Sequence, residues 1–233
     1  GTTYISSTLT GTKGNNEGFD VVDGLVTHIS EANCYRMPEG VEEADYCDYL
    51  VADFLKHLSL MGGADQVAAF IAEPIMGAGG VLVAPKGYHK RIFDLCKAND
   101  ILYISDEVVT AFGRLGHFFA SESVYGIQPD IIICAKGLTS GYIPLGATLL
   151  SDEIYEVIKK PQAKGAVFST GFTYSGHPVA CAVALKNIEI MERENICENV
   201  QQVGPYLEEQ LKTLMDLPIV GDVRGSHFMM CIE

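Results

Sequence analysis

The sequence predicts an α/β protein in which a mostly parallel β-sheet carries helices on both faces. Short continuous apolar runs at 67–72, 101–105 and 131–134 alternate with segments whose apolar residues recur at helical spacing. Apolar runs without polar alternation are typical of strands buried on both faces, and such strands occur mainly in parallel sheets covered by helices. The order of strand, helix and strand favours parallel neighbours joined by crossover helices.

The individual elements follow from the same patterns in chain order. A first amphipathic helix begins at Glu43 and ends at Gly62-Gly63, and the strand at 67–72 stops at Glu73-Pro74 because proline donates no ladder hydrogen bond. A glycine-rich loop follows at 77–80. The later predicted elements are a helix over 88–96, strands over 101–105, 131–134 and 145–150, helices over 178–191 and 192–216, and a final strand over 228–233.

We expect a large domain over 1–194 and the start of a smaller second domain over 195–233. No internal repeat, low-complexity tract or long linker divides the sequence further. The first residue is not Met, and the last predicted strand stops without a following turn. We therefore expect both ends to be cuts within a longer protein, which leaves the large domain incomplete.

The charge balance argues against some classes of partner. The 233 residues include 30 acidic and 16 basic side chains, a net charge of −14, whereas nucleic-acid binding needs clustered basic residues.

No apolar run approaches the roughly 20 residues of a membrane helix, and the N-terminus lacks the regions of a signal peptide. The seven cysteines form no CxxC pair, which favours free thiols in a reducing compartment. The expectation is a cytoplasmic protein with no nucleic-acid or membrane partner.

Candidate functional residues are those that immediately follow the apolar runs, because ligands in open α/β sheets bind outside the carboxyl ends of the strands. Glu73 follows the first run, Asp106-Glu107 follows the second and Lys136 follows the third. If the strands are parallel neighbours, these carboxylates and the amine converge on one crevice.

The surroundings of Lys136 favour a nucleophilic amine. Its neighbours Cys134-Ala135 and Gly137 are apolar or small, so we expect partial desolvation, which disfavours the ammonium form and prepares the amine to attack a carbonyl carbon. Gly137 would also leave room for a flat ligand. One alternative is a strand-end lysine paired with Asp106 or Glu107. Another is a magnesium site at the two acids, although the phosphate-holding loop that usually accompanies such a site is missing.

Several other catalytic motifs are absent from the sequence. It contains no GxxxxGK[ST], no HExxH and no GxSxG, and the glycine-rich loop at 77–80 does not match GxGxxG. Zinc hydrolases, serine hydrolases and Rossmann dehydrogenases therefore lose support, and we expect no metal site.

Three ordered segments carry a family resemblance. Residues 104–114 read ISDEVVTAFGR, residues 129–132 read PDII, and residues 135–138 read AKGL. The sequence resembles the class III aminotransferases, which depend on pyridoxal 5'-phosphate (PLP) and have the PLP-dependent transferase fold type I. The segments AEPI at 72–75 and GFTYSGHP at 171–178 extend the resemblance over nearly the whole chain.

This resemblance implies roles for three residues. Lys136 would hold PLP as a Schiff base and move the substrate proton, and Asp106 would bond the protonated pyridine nitrogen and keep the ring able to accept electrons. Val108, two residues further along an extended segment and on the same side, would pack against the face of the ring, with ordinary core packing as the alternative. The resemblance also implies ping-pong kinetics.

Two further residues are carried over from the family. Thr173 would bind the cofactor phosphate of the neighbouring subunit, which implies a homodimer with shared active sites; the alternative is that it caps the helix beginning at Pro178. Glu73 would contact the cofactor. In relatives of the ornithine and 4-aminobutyrate type a second glutamate follows the Glu-Pro-Ile segment, and Ala78 takes that place here. In this departure, and in the segment GFTYSGHP, the sequence more closely resembles the ω-amino acid or amine:pyruvate branch of the family.

The expected reaction moves an amino group from an ω-amino acid or amine to a keto acid, with pyruvate as the expected acceptor. Aminomutase or racemase chemistry would use Lys136 and Asp106 equally well. A catalytically silent fragment or scaffold that keeps the dimer surface is a further alternative, because in the family residues outside this chain supply part of the phosphate and substrate sites.

Overall fold

The computed structural model describes residues 3–161 and 163–233. In chain order the helices and strands are α1 (Tyr4–Leu9), α2 (Tyr46–Leu60), β1 (Ala69–Ala72), β2 (Ile75–Met76), β3 (Leu82–Val83), α3 (Tyr88–Ala98), β4 (Leu102–Asp106), α4 (Ala120–Tyr125), β5 (Ile131–Cys134), β6 (Ala147–Leu150), α5 (Asp152–Ile158), α6 (Pro178–Arg193), α7 (Ile196–Lys212), β7 (Val223–Ser226) and β8 (Met229–Ile232). Within those residues no helix is both long and apolar enough to cross a membrane.

The central sheet has four strands in the order β1, β4, β5, β6. β1, β4 and β5 are parallel, whereas β6 runs antiparallel to β5. Ala72 pairs with Ser105, and Asp106 pairs with Ile133, so β1, β4 and β5 end at the same edge. The predicted α/β class with a mostly parallel sheet is confirmed. The reversal at β6 was not predicted, because an apolar run carries no information on strand direction.

The main core lies between the central sheet and helices α2 and α3. Phe70 of β1 contacts Phe54 of α2 edge-on and Tyr103 of β4, and Tyr103 also contacts Phe93 of α3. Along β4, Tyr103 and Ser105 are buried while the alternate residues are half-buried. Because successive side chains of a strand point to opposite faces, Asp106 lies on the half-buried face.

The structure differs from the sequence prediction in one hairpin and in the division between the last two helices, and most other predicted elements have bounds that differ by one to three residues. The loop at 77–80 is the turn of a small antiparallel hairpin of β2 and β3, whose two-residue strands are too short to show a periodic pattern. The residues from Glu192 to Arg193 complete α6, and α7 begins only at Ile196. Asn195 separates the two helices because its left-handed φ of 49° cannot continue a helix.

Residues 195–233 pack against the rest of the chain through several polar contacts. Arg224 donates from Nε to the Gly80 carbonyl at 2.8 Å, and Gln201 donates from Nε2 to the Gly116 carbonyl at 2.7 Å. The break at Asn195 coincides with the expected start of a second domain, and the domain division itself stays a prediction.

A buried histidine ties the segment after β1 to α3 and β4. His89 Nε2 lies 2.9 Å from the Pro74 carbonyl, which can only accept, so Nε2 carries the proton and Nδ1 accepts from the Tyr103 hydroxyl at 3.1 Å. Burial lowers the pKa of His89 to about 4, and the hydrogen bond to Pro74 opposes that shift only in part. The native state therefore holds this imidazole neutral.

We expect the free energy of unfolding to fall as the pH drops from about 6.5 to about 4. In this window the unfolded state protonates His89 while the folded state does not, so acid favours unfolding, by up to roughly 3 kcal/mol at 1.36 kcal/mol per pKa unit. Urea unfolding across this pH range measures the effect. His89→Gln, whose amide does not titrate, should have a smaller difference in stability between pH 7 and pH 4; an equal difference in both proteins would contradict the assignment.

Candidate active site

The carboxyl edge of the three parallel strands brings Glu73, Asp106 and Lys136 together. Glu73 follows β1, Asp106 ends β4, and Lys136 lies two residues beyond the end of β5. Burial raises the pKa of the Glu73 carboxyl, and the negative charge of Asp106 raises it further, whereas the Gly77 N–H and the positive charge of Lys136 lower it. Glu73 therefore interacts electrostatically with both of the other residues.

Glu73 also closes the turn that follows β1. Its Oε2 accepts a hydrogen bond from the Gly77 N–H at 2.9 Å. A Cβ on Gly77 would lie 3.3 Å from both Val109 and Met229 and 3.5 Å from Glu73 Oε2, so glycine fits the narrow space between these side chains. The carboxylate is thus held at the sheet edge by its own loop.

Lys136 begins the 3-10 turn Lys136–Thr139 with a strained backbone. Its φ is +42°, a left-handed value that costs a residue with a side chain about 1–2 kcal/mol. Strain of this kind is concentrated at functional sites. The expectation that Lys136 is desolvated by its neighbours is wrong for this chain, because the residue is exposed. Flanking residues in sequence do not cover a long side chain that extends beyond the end of a strand.

Gly137 does not leave room for a flat ligand, contrary to the prediction. A Cβ at this position would lie 2.8 Å from Phe112 Cβ, so the side chain of Phe112 occupies the space that was expected to admit a flat ligand. Glycine is required here by packing within the chain.

Asp106 and Val108 are linked by a local hydrogen bond. Asp106 Oδ1 accepts from the Val108 N–H at 3.0 Å. β4 ends at Asp106 and a turn begins at Val108, so the expectation of an extended segment with both side chains on one side is wrong. The turn instead keeps the half-buried Val108 adjacent to Asp106. Contact of Val108 with a cofactor ring stays a prediction.

Glu107 does not join the converging groups, contrary to the expectation for the Asp106-Glu107 pair. It is fully buried, and its carboxylate accepts hydrogen bonds from the N–H groups of Ala120 and Ser121, each at 2.8 Å, from the Ser121 hydroxyl, and from the Thr110 hydroxyl at 3.0 Å. The carboxylate therefore binds the first turn of α4. Since adjacent side chains point to opposite faces, the two acids do not form a magnesium site together.

Replacing Glu107 by alanine should lower the free energy of unfolding by about 3 kcal/mol or more, because buried hydrogen bonds to a charged group are lost and two N–H groups are left without an acceptor. Glu107→Gln, which keeps one acceptor oxygen, should cost less. Glu192→Ala is the matched control, since Glu192 is an exposed acid at the end of a helix and should change stability by no more than about 0.5 kcal/mol. Urea unfolding compares the three variants. Equal stability of Glu107→Ala and the control would contradict this role.

Thr173 lies in an exposed turn between α5 and α6. In the part of the chain that the structure describes, its side chain makes no hydrogen bond, and none joins it to Glu73, Asp106 or Lys136. The alternative role as a helix cap is wrong, because the N-cap of α6 is His177. The role of Thr173 at a cofactor phosphate stays a prediction.

Asn187 contacts the turn that carries Lys136, a role that was not predicted from the sequence. From the middle of α6, Asn187 Nδ2 donates to the carbonyl of Gly137 at 2.8 Å and to that of Leu138 at 3.2 Å, while its Oδ1 accepts from the Ser140 hydroxyl at 2.6 Å. An asparagine inside a helix is unfavourable by propensity, and that was the available signal.

No group of three or more histidine, cysteine, aspartate or glutamate side chains within residues 3–161 and 163–233 could hold a metal ion. All seven cysteines are free, and of these Cys96 and Cys134 are buried.

Solved structures identify the class of protein that has this fold. A thermostable (S)-enantioselective omega-transaminase from Thermomicrobium roseum is similar with a TM-score of 0.91 and 43% identity, covering 98% of this chain and 50% of that one. An omega transaminase from Pseudomonas jessenii, solved in complex with PMP, is similar with a TM-score of 0.93 and 41% identity, covering 100% of this chain and 51% of that one. The fold is that of the transaminases.

Sequence comparisons then give the family. The family described as aminotransferase class-III matches residues 1–233, and the chain belongs to it. Gamma aminobutyrate transaminase 3, chloroplastic, of Solanum lycopersicum is 43% identical over 98% of this chain and 44% of its own length. Gamma-aminobutyrate transaminase 1, mitochondrial, of Oryza sativa subsp. indica is 44% identical over 100% of this chain and 45% of its own length. The chain thus spans about half the length of the curated relatives it matches.

Proposed function

We propose that the protein is a PLP-dependent aminotransferase that moves an amino group from an ω-amino acid or amine to a keto acid, with pyruvate as the acceptor. The observation that carries the proposal is the convergence of Lys136, Asp106 and Glu73 at one sheet edge in a chain of the class-III family. The activity belongs to the complete natural polypeptide, since this chain spans about half the length of its relatives.

The groups at the sheet edge fit PLP by their chemistry. An exposed primary amine at Lys136 suits a cofactor aldehyde, and a carboxylate at Asp106 suits a protonated pyridine nitrogen. When bound, PLP supplies an electron sink for the bonds of the substrate carbon. Asp106 would keep the ring nitrogen protonated, Val108 would limit the space beside the ring, and the Lys136 amine would move the proton at the substrate carbon. Glu73 would set the charge balance beside these two groups.

We also propose a homodimer with shared active sites, in which Thr173 binds the cofactor phosphate held by the other subunit. The segment around Thr173 supports this proposal because large apolar side chains are exposed there, Phe172 to 84% and Tyr174 to 80%. Exposed aromatic residues in one segment are typical of an interface. Sedimentation should give twice the monomer mass, and Thr173→Ala should weaken PLP binding without changing that mass.

The β2–β3 hairpin and the names of the relatives both bear on the amino donor. Ala78 lies exposed in the β2–β3 turn, so no second carboxylate stands beside Glu73 in this hairpin. The names of the relatives add gamma-aminobutyrate to the donors to be tested. They also include chloroplastic and mitochondrial forms, so a cytoplasmic location stays a prediction.

The test is a visible absorption spectrum of the complete natural polypeptide with added PLP, before and after borohydride, followed by amino-transfer assays. The donors are gamma-aminobutyrate, β-alanine and a simple primary amine, each with pyruvate or 2-oxoglutarate. Formation of alanine from pyruvate supports the proposal, and transfer only to 2-oxoglutarate contradicts the acceptor. Absence of any PLP absorption contradicts the aminotransferase and favours a scaffold.

A further inference from the structure

We propose that Asn187 is a positioning residue that holds the Lys136 amine in its working place. The inference rests on the proposed function of Lys136. The two residues lie in different elements of the fold: Asn187 belongs to α6, and Lys136 belongs to the turn after β5.

The turn that carries Lys136 has a strained backbone. Lys136 and Ser140, at its two ends, both have left-handed φ values, +42° and +48°. Inside the turn the Leu138 N–H bonds to the Ala135 carbonyl at 2.9 Å, and the Ser140 N–H bonds to the Gly137 carbonyl at a long 3.3 Å. Residues in such conformations persist only where the surroundings fix them.

Asn187 holds the turn through both the NH₂ group and the oxygen of its side-chain amide. Its NH₂ group donates to the Gly137 and Leu138 carbonyls, and its oxygen accepts from the Ser140 hydroxyl, so the orientation of the amide is unambiguous. The three bonds span the turn from the residue after Lys136 to its far end. Without them the carbonyls of Gly137 and Leu138 lose a partner, and the turn is free to relax.

The position of Lys136 depends on this turn because little else confines the side chain. Lys136 is exposed, whereas Gly137 packs against Phe112 and the next two residues of the turn, Leu138 and Thr139, are buried. A displacement of about 1 Å at a reacting group can cost about 100-fold in rate. Asn187 therefore acts on catalysis through the backbone of the turn.

The experiment compares Asn187→Ala and Asn187→Asp with Asn199→Ala in the complete natural polypeptide. The aspartate variant keeps the shape and the acceptor for Ser140 but loses both donors. Asn199 is the matched control because it is an exposed asparagine of α7 whose side chain makes no hydrogen bond within the described residues. Asn187→Ser replaces the alanine variant if that variant does not fold.

Three measurements are made on each variant. The first is amide hydrogen exchange without PLP, where residues 136–142 should exchange at least about 10-fold faster in both Asn187 variants while 69–72 stay unchanged. The second is the pH dependence of the visible absorbance of bound PLP, whose midpoint should shift only in the Asn187 variants. The third is steady-state kinetics, where kcat should fall by about 10- to 100-fold with a smaller change in KM.

The outcomes separate this inference from the proposed function. A borohydride-stable PLP adduct on Lys136 that keeps its pH midpoint and kcat in both Asn187 variants overturns the inference alone. Lack of any adduct on Lys136 in the unsubstituted protein overturns the proposed function and this inference with it. A lower melting temperature with unchanged exchange at 136–142 assigns Asn187 to helix packing only and also overturns the inference.

Discussion

Lys136→Ala is expected to abolish covalent attachment of PLP and to reduce amino transfer by about 10⁴-fold or more, because in the proposed function this one amine both binds the cofactor and transfers the substrate proton. Because the side chain is exposed, the substitution should change the free energy of unfolding by no more than about 0.5 kcal/mol. Borohydride reduction followed by peptide mass spectrometry measures the attachment directly.

Two controls define this experiment. Lys136→Arg keeps a positive charge and a long side chain but has no primary amine, so it should be as inactive as the alanine variant. Lys86→Ala removes an exposed lysine elsewhere and should keep the adduct and the activity. A PLP adduct that survives on another lysine in Lys136→Ala would show that the amine has been misassigned.

Asp106→Ala should nearly abolish turnover, by about 1000-fold or roughly 4 kcal/mol of barrier, while PLP still attaches to Lys136. The physical reason is that a carboxylate next to the ring nitrogen keeps the ring protonated and able to accept electrons. Single-turnover kinetics with the amino donor and the absorption spectrum of bound PLP measure the two effects separately.

Asp106→Asn provides the control for the local structure of this site. The asparagine oxygen can still accept the Val108 N–H, so the turn after β4 is preserved while the charge is removed. We expect its turnover to be as low as that of Asp106→Ala. Activity within 10-fold of the unsubstituted protein would show that Asp106 serves the turn rather than the cofactor.

The parallel part of the sheet and its polar edge could be predicted because each strand is recognisable from its own short apolar pattern. Runs such as 131–134 are apolar throughout, and this pattern identifies a buried strand without knowledge of its partners. Once β1, β4 and β5 are parallel, Glu73, Asp106 and Lys136 must lie at one edge. Placing these three residues together required only the strand ends and the direction of the strands.

The remaining features depend on contacts between distant segments, and sequence patterns carry little information about these. Glu107 accepts hydrogen bonds from the N–H groups of Ala120 and Ser121, and Asn187 donates one to the Gly137 carbonyl. Both sets of bonds depend on how distant segments pack together. The exposure of Lys136 was mispredicted because small apolar neighbours in sequence were taken as cover. The direction of β6 depends on the path of the chain after Gly141.

Glu107 is buried and the adjacent Asp106 is half-buried, so the two acids have different surroundings and their order along the chain affects the local structure. Exchanging them, D106E together with E107D, leaves composition and net charge unchanged. The shorter acid would then face the α4 N–H groups, out of reach of the donors that Glu107 now binds at 2.8 Å, and the longer one would intrude where a ring is expected. Aspartate and glutamate, although equal in charge, are therefore not interchangeable at these two positions.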